Sequence, residues 1–333
     1  MALQPQKIKA AFFDIDGTLL SFESHRLSEG TVKALEQLRR MGVRTFISSG
    51  RPEILIPEMP VVFDGYITMN GGYVFAGSEL LVDSPIPQAE SQRWLRFAEE
   101  HDLCTMLFTA HGMAVNKITP EAQALRDQLE FTMPPLTPIE QLAQSKIYQI
   151  IALMPPEMDA EVARMLPACR LPRWHNVFTD IVCSANSKAV GMDCICRRFG
   201  IDQSETIAFG DGGNDIEMLR WAGIGVAMGN AADKVKRHAD YVTTDVDHEG
   251  IAQALQGLLF SPTPEAAEQL RLRRTMHNYE ELLTDCSDDP AYIARGNGFA
   301  DAKYSEEFIE NQIDSLNSQI AAVTPSPSTP YIG

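Results

Sequence analysis

The run Lys7-Ile8-Lys9-Ala10-Ala11-Phe12-Phe13 leads straight into Asp14-Ile15-Asp16-Gly17-Thr18. A short, mainly apolar stretch that stops at a polar loop predicts a buried strand with chemical groups at its carboxyl end. The pattern recurs along the chain. Val43–Ser48 ends in Ser49-Gly50-Arg51, Tyr66–Met69 in Asn70-Gly71-Gly72, and Thr206–Phe209 in Gly210-Asp211-Gly212-Gly213-Asn214-Asp215. Helical patterns lie between these strands. Ser28 is placed to cap a helix reaching about Met41 with Gly42 as its stop, and Asn186 or Ser187 to cap Lys188–Phe199, stopped by Gly200. Further on, Ile216–Trp221, Lys234–His238 and Gly250–Leu259 read as helices, and Ile224–Met228 and Tyr241–Thr243 as strands. Strands alternating with helices predict βαβ units and a parallel sheet, whose sites sit where the strands end.

Residues 84–183 break the alternation. Pro85 and Pro87 open the block, Ala89–His101 is helical, and Thr105–Val115 reads as two strands turning near His111-Gly112. A helix at Glu121–Leu129, a strand at Ile147–Met154, a helix at Met158–Leu166 and strand-like segments over Arg173–Val182 complete it. The block is expected to be an α+β domain inserted into a core made of 1–83 and 184–260. After Ser261-Pro262-Thr263-Pro264 comes a polar extension, 261–333, expected to be helical or disordered, with a low-complexity end at Thr324–Pro330. A chain cut after Phe260 is expected to fold without it.

The 333 residues carry 28 Lys and Arg against 45 Asp and Glu, a net charge of −17. Such acidity argues against a nucleic-acid partner, because phosphate backbones select basic surfaces. It leaves room for a small phosphorylated substrate, since one bound cation reverses the field inside a cleft. The extension alone holds 5 basic and 12 acidic residues. No apolar run is long enough for a membrane span or a secretory leader, and the 6 cysteines are scattered, so the expected compartment is a reducing cytoplasm. The spacing of Cys194 and Cys196 invites a metal reading, but their helical setting favours packing thiols. His111, Trp174 and His175 are pocket candidates within the insert, where packing or surface roles are the first expectation.

Asp14-x-Asp16 and Asp211-x-x-x-Asp215 bring carboxylates to the ends of predicted strands. Clustered carboxylates repel, and a hard divalent cation relieves the repulsion; ligands that are all oxygen favour Mg2+.

Phe12–Leu19 resembles the first motif of the haloacid dehalogenase-like phosphohydrolases, and Ile47-Ser48-Ser49-Gly50-Arg51 the second. Asn186-Ser187-Lys188 and Gly210–Asp215 are similar to the third and fourth. The Met69–Gly72 turn, Ala227-Met228-Gly229-Asn230-Ala231 and His248-Glu249-Gly250 are similar to segments of the Cof-type branch, whose α/β cap lies between the second and third motifs. The resemblance spans about residues 7–260. It implies a doubly wound, Rossmann-like core with an α+β cap, and a Mg2+-dependent phosphatase acting on a small phosphorylated metabolite, such as a sugar phosphate or phosphorylated cofactor. It makes Asp14 the nucleophile and Asp16 the general acid and base. Asp14, Asp211 and the Asp16 carbonyl would hold Mg2+, with Asp215 anchoring its water shell. Ser49, Asn214 and Lys188 would bind the phosphoryl group, while Arg51 braces the loop or reaches the phosphate. Two other readings remain: a phosphomutase, which would require a bisphosphate activator, and a non-catalytic protein that binds a partner through its extension.

Overall fold

A computed structural model describes residues 8–129, 132–173, 176–288 and 306–326. Along the chain run β1 (Ala10–Phe13), α1 (Glu29–Arg40), β2 (Arg44–Ser48), β3 (Gly65–Thr68), β4 (Tyr73–Ala76), β5 (Glu79–Asp83) and α2 (Gln88–Glu100). Next come β6 (Cys104–Phe108), β7 (Met113–Val115), α3 (Pro120–Leu129), α4 (Ile139–Leu142), β8 (Gln149–Leu153), α5 (Asp159–Met165), β9 (Cys169–Arg170) and β10 (Thr179–Cys183). The chain continues through α6 (Lys188–Phe199), β11 (Thr206–Gly210), α7 (Ile216–Trp221), β12 (Ile224–Ala227), α8 (Asp233–Lys236), β13 (Tyr241–Val242) and α9 (Gly250–Leu255). Two helices, α10 (Pro264–Asp288) and α11 (Glu306–Val323), end the described elements.

The chain divides into two compact units, Met1–Val43 with Ser204–Gly333, and Arg44–Gln203. In the first unit the strands lie in the order β13-β12-β11-β1, all parallel. Phe12, Phe13, Ile207, Phe209 and Val226 are fully buried, as expected of parallel strands covered on both faces. Phe13 pairs in register with Phe209 and their rings stack 5.0 Å apart, which brings the next residues of β1 and β11 out at the same end of the sheet. Ser28 caps α1 by accepting the Thr31 N–H at 3.2 Å. Glu249, held at φ +59°, adds its carboxylate to the Gly30 and Thr31 N–H groups at 3.2 and 3.1 Å. A carboxylate is favoured at that helix end by the orphan N–H groups and the dipole.

Residues 261–288, read from the sequence as part of a separable polar extension, are built into the first unit. β13 is an edge strand, and α10 packs against it. Gln269, with no exposed surface, accepts the edge N–H of Val242 through its side-chain oxygen. Arg274 donates to the Gly223 carbonyl at 2.6 Å and to Asp240 at 3.2 Å, and Arg273 to the Lys236 carbonyl at 3.0 Å. Burial pushes the Arg273 guanidinium down to about 10. Leu272 and Met276 turn the other way and pack with Leu316 and Ile320 of α11. Gln and Arg at buried positions disguise the amphipathic pattern, which is why the stretch reads as merely polar. Gly296-Asn297-Gly298 of the extension and the end of the Thr324–Pro330 segment lie outside the described residues.

The second unit holds β2-β3-β4-β5 and a separate sheet ordered β7-β6-β8-β10-β9. β2 and β3 are parallel, but β3-β4-β5 is an antiparallel meander, a departure from the expected alternation. The five-stranded sheet is antiparallel and formed entirely by residues of the expected insert. One of its faces shares a core with Trp94, Leu95 and Phe97 of α2 and Val162 of α5. The other face, through Met106, Phe108 and Leu153, packs with Met69 and with the half-buried Leu55 and Tyr73. That shared cluster joins Leu55, Met69 and Tyr73 to the insert within one unit.

Candidate active site

The carboxylates of Asp14, Asp211 and Asp215 converge, with one ligand-capable oxygen from each lying within 4.8 Å of the others. The cause is the strand register. Phe13 opposite Phe209 sends Asp14 and Asp211 out of adjacent strand ends, and the Asp14 N–H still pairs with the Phe209 carbonyl at 3.0 Å. Asp14 is 7% exposed and Asp215 not at all. Asp215 is oriented by the Asp211 and Gly212 N–H groups, which donate to its Oδ2 at 3.0 and 2.8 Å. Asp211 is held on both oxygens, by the Thr18 hydroxyl at 2.8 Å and the Asn230 amide at 3.2 Å. Gly17, at φ +78°, makes room: a Cβ there would fall 2.3 Å from Asp211 Oδ2.

Asp16 and Asn214 belong to the same two loops. Asp16 is half-buried and bridges to Leu20, and its carboxylate is not part of the converging group. Asn214 is exposed on the turn before Asp215.

Ser49 and Lys188 belong to the second unit. Ser49, almost fully buried where β2 ends, accepts the Arg51 N–H at 3.1 Å. Arg51 itself donates to the Leu55 carbonyl at 2.8 Å, which braces the loop. Lys188 is the first residue of α6 and is 1% exposed, an ammonium taken almost wholly out of bulk water. Ser187 caps that helix by accepting the Val190 N–H at 3.2 Å. The Met69–Gly72 turn links the two loops. The Asn70 N–H donates to the Ser49 carbonyl at 3.1 Å, while the backbone of Gly71 lies so close to Ser187 that a Cβ would sit 2.2 Å from its carbonyl oxygen. Gly71 is also at φ +91°. Gly71→Ala is expected to destabilise the protein by about 2–4 kcal/mol in urea melts and to displace the start of α6. An unchanged midpoint would show that the turn yields freely.

Thr18 and Asn230 escaped the sequence reading as members of this site. Asn230 had a usable signal, since Gly229-Asn230 follows β12 as the other motifs follow their strands. Cys194 and Cys196 are two positions apart on α6, and burial pushes the Cys196 thiol up to about 12. Among the described residues, the carboxylates of Asp14, Asp211 and Asp215 are the one group of three or more His, Cys, Asp or Glu with this convergence. His111 lies edge-on to Tyr73 at 6.0 Å, and Trp174 and His175 lie outside the described residues.

Residues 11–255 match the family model of the haloacid dehalogenase-like hydrolases, and the chain belongs to that family. Several of its relatives are named as phosphatases. YkrA of Bacillus subtilis (strain 168), assigned as a phosphatase, is 32% identical over 254 residues, covering 75% of this chain and 97% of its own. The subclass IIB sugar phosphatase BT4131 superposes with a TM-score of 0.70 at 39% identity, over 75% of this chain and 100% of its own. The phosphatase BT1666 of Bacteroides thetaiotaomicron does so with a TM-score of 0.72 at 34% identity, over 78% and 97%. The fold is therefore the α/β fold of this family, with a helical C-terminal region, and the chain is a Cof-type enzyme of the family, a hydrolase of phosphate esters. No helix among the described residues is long and apolar enough to cross a membrane.

Proposed function

We propose that the protein is a Mg2+-dependent phosphatase of small phosphorylated metabolites, with sugar phosphates the first class to test. The observation that carries this is the convergence of Asp14, Asp211 and Asp215 at the ends of β1 and β11. Three carboxylates this close, two of them buried, repel strongly unless a cation sits among them. Their donor set is all oxygen, which fits a hard divalent ion. Asp14, the Asp16 carbonyl and Asp211 would hold it, with Asp215 anchoring its water shell. When bound, the ion would supply charge neutralisation for the phosphoryl oxygens.

The chain's own residues would then act as follows. An Asp14 carboxylate oxygen attacks phosphorus as the ester P–O bond breaks, and Asp16 gives its proton to the departing alcohol oxygen. Water next attacks the aspartyl-phosphate, Asp16 takes the water's proton, and inorganic phosphate leaves with Asp14 regenerated. Ser49 and Asn214 would donate to the phosphoryl oxygens, and Lys188 would balance the charge of the phosphoryl group and Asp14. Residues 84–183 are read as the cap that shapes the leaving-group side and excludes water.

The preference for sugars rests on the likeness to BT4131, whose substrate class is a sugar phosphate. The test is kcat/KM over a panel of phosphorylated sugars and cofactors with Mg2+. Activity is expected to vanish in EDTA and return with Mg2+. Turnover unaffected by EDTA would overturn the metal reading, and a bisphosphate requirement would favour a phosphomutase.

A further inference from the structure

Asn230 links three loops of the first unit. Its Nδ2 donates to the Gly17 carbonyl at 2.8 Å and to Asp211 Oδ2 at 3.2 Å, while its Oδ1 accepts the Val246 N–H at 3.0 Å. The census of partners decides which way the amide faces. Two acceptors lie on one side and one donor on the other, so a flipped amide would set oxygen against oxygen and N–H against N–H. The donor side is itself anchored. Val246 opens a short turn that ends at Glu249, whose carboxylate binds the N–H groups of Gly30 and Thr31. On the acceptor side, the Thr18 hydroxyl takes the other oxygen of Asp211, so Asn230 and Thr18 together set the plane of that carboxylate. The same amide pins the Gly17 carbonyl, and hence the loop that carries Asp14 and Asp16.

The geometry points to Asn230 as a positioning residue: it preforms the cation site by fixing the Asp211 carboxylate and the Gly17 peptide to one rigid support. This rests on the Mg2+ reading above. An Asp211 that has lost its Asn230 partner would have to be ordered further when the ion arrives, and loss of a group that orients a ligand typically weakens metal binding about 10–100-fold. Hydrogen bonds that orient Asp211 from both oxygens should also be coupled, so removing the second costs less than removing the first.

The experiment is calorimetric titration of the full-length, metal-stripped protein with MgCl2, with melting in EDTA run alongside. The wild type is expected to bind Mg2+. Asn230→Ala is expected to raise Kd at least about 10-fold with little change of melting temperature in EDTA. Asn230→Ser, whose hydroxyl is too short to span both acceptors, should behave alike and serves if the alanine variant folds poorly. In Thr18→Val with Asn230→Ala, the loss should fall short of the product of the two single losses. An unchanged Kd in both Asn230 variants overturns the proposal, as does a fall in EDTA melting temperature with no loss of affinity, which is the mark of a structural role alone. A wild type that binds no Mg2+ sinks the underlying reading instead, and that failure is seen before any variant is compared.

Discussion

Replacing Asp14 with Asn should lower kcat for every phosphomonoester by at least about 10³-fold while leaving the protein folded. The substitution conserves size at the end of β1 and keeps the backbone pairing with Phe209, so no packing is lost. What disappears is the anionic oxygen proposed to attack phosphorus. A second consequence separates this reading from simple damage. Asp14 shares a 4.8 Å neighbourhood with Asp211 and Asp215, and removing one of three like charges should relieve repulsion in the metal-free protein. In EDTA, Asp14→Asn is therefore expected to melt at a higher temperature than the wild type, and the advantage should shrink as Mg2+ is added. Residual turnover above a few per cent would sink the nucleophile assignment. A lower melting temperature in EDTA would mean that another group already balances the cluster.

Cutting the chain after Phe260 should cost roughly 3–5 kcal/mol of stability, a fall in melting temperature on the order of 10 °C. The sequence alone suggested that the cut chain would still fold, and the coverage of relatives is consistent with a body that folds at that length: BT4131 matches over its whole chain yet over only 75% of this one. In this protein, however, the surface has been built to receive α10. The cut removes Gln269 from the Val242 N–H, Arg274 from Gly223 and Asp240, and the apolar cover supplied by Leu270. It also bares β13, an edge that can pair with another chain, so self-association at high concentration is expected with the loss of stability. Sedimentation and thermal melting together check this. A truncated chain that stays monomeric and melts within about 2 °C of the full protein would show that α10 only rests on the sheet.

Local signals account for what could be read without coordinates. Ser28 and Ser187 are hydroxyl caps at the starts of α1 and α6, and Gly200 at φ +63° ends α6, so these boundaries follow from rules that act within a few residues. The carboxylate motifs were legible for the same reason: each sits directly after an apolar strand. Features that depend on distant partners were not. Thr18 and Asp211 are 193 positions apart, and Asn230 and Gly17 are 213 apart, and no local signal tells which residue meets which. The meander β4-β5 was hidden behind the glycine turn that precedes it. Its strands are 4 and 5 residues long, and β5 is largely exposed, leaving little apolar patterning to detect. Gln269 shows the limit most plainly. A buried glutamine is explained only by the strand N–H it serves, and that strand lies 27 positions upstream.

The position of α10 has a consequence for the order in which the protein is made. Val242 leaves the ribosome before Gln269 and Arg274, the residues that cover its strand. At about 5–20 residues per second, the nascent chain carries an uncapped sheet edge for a few seconds on every round of synthesis. Crowded polysomes or slowed translation through codons 243–274 would lengthen that window, so soluble yield should depend on elongation speed across this stretch more than across the codons for β1 to β5.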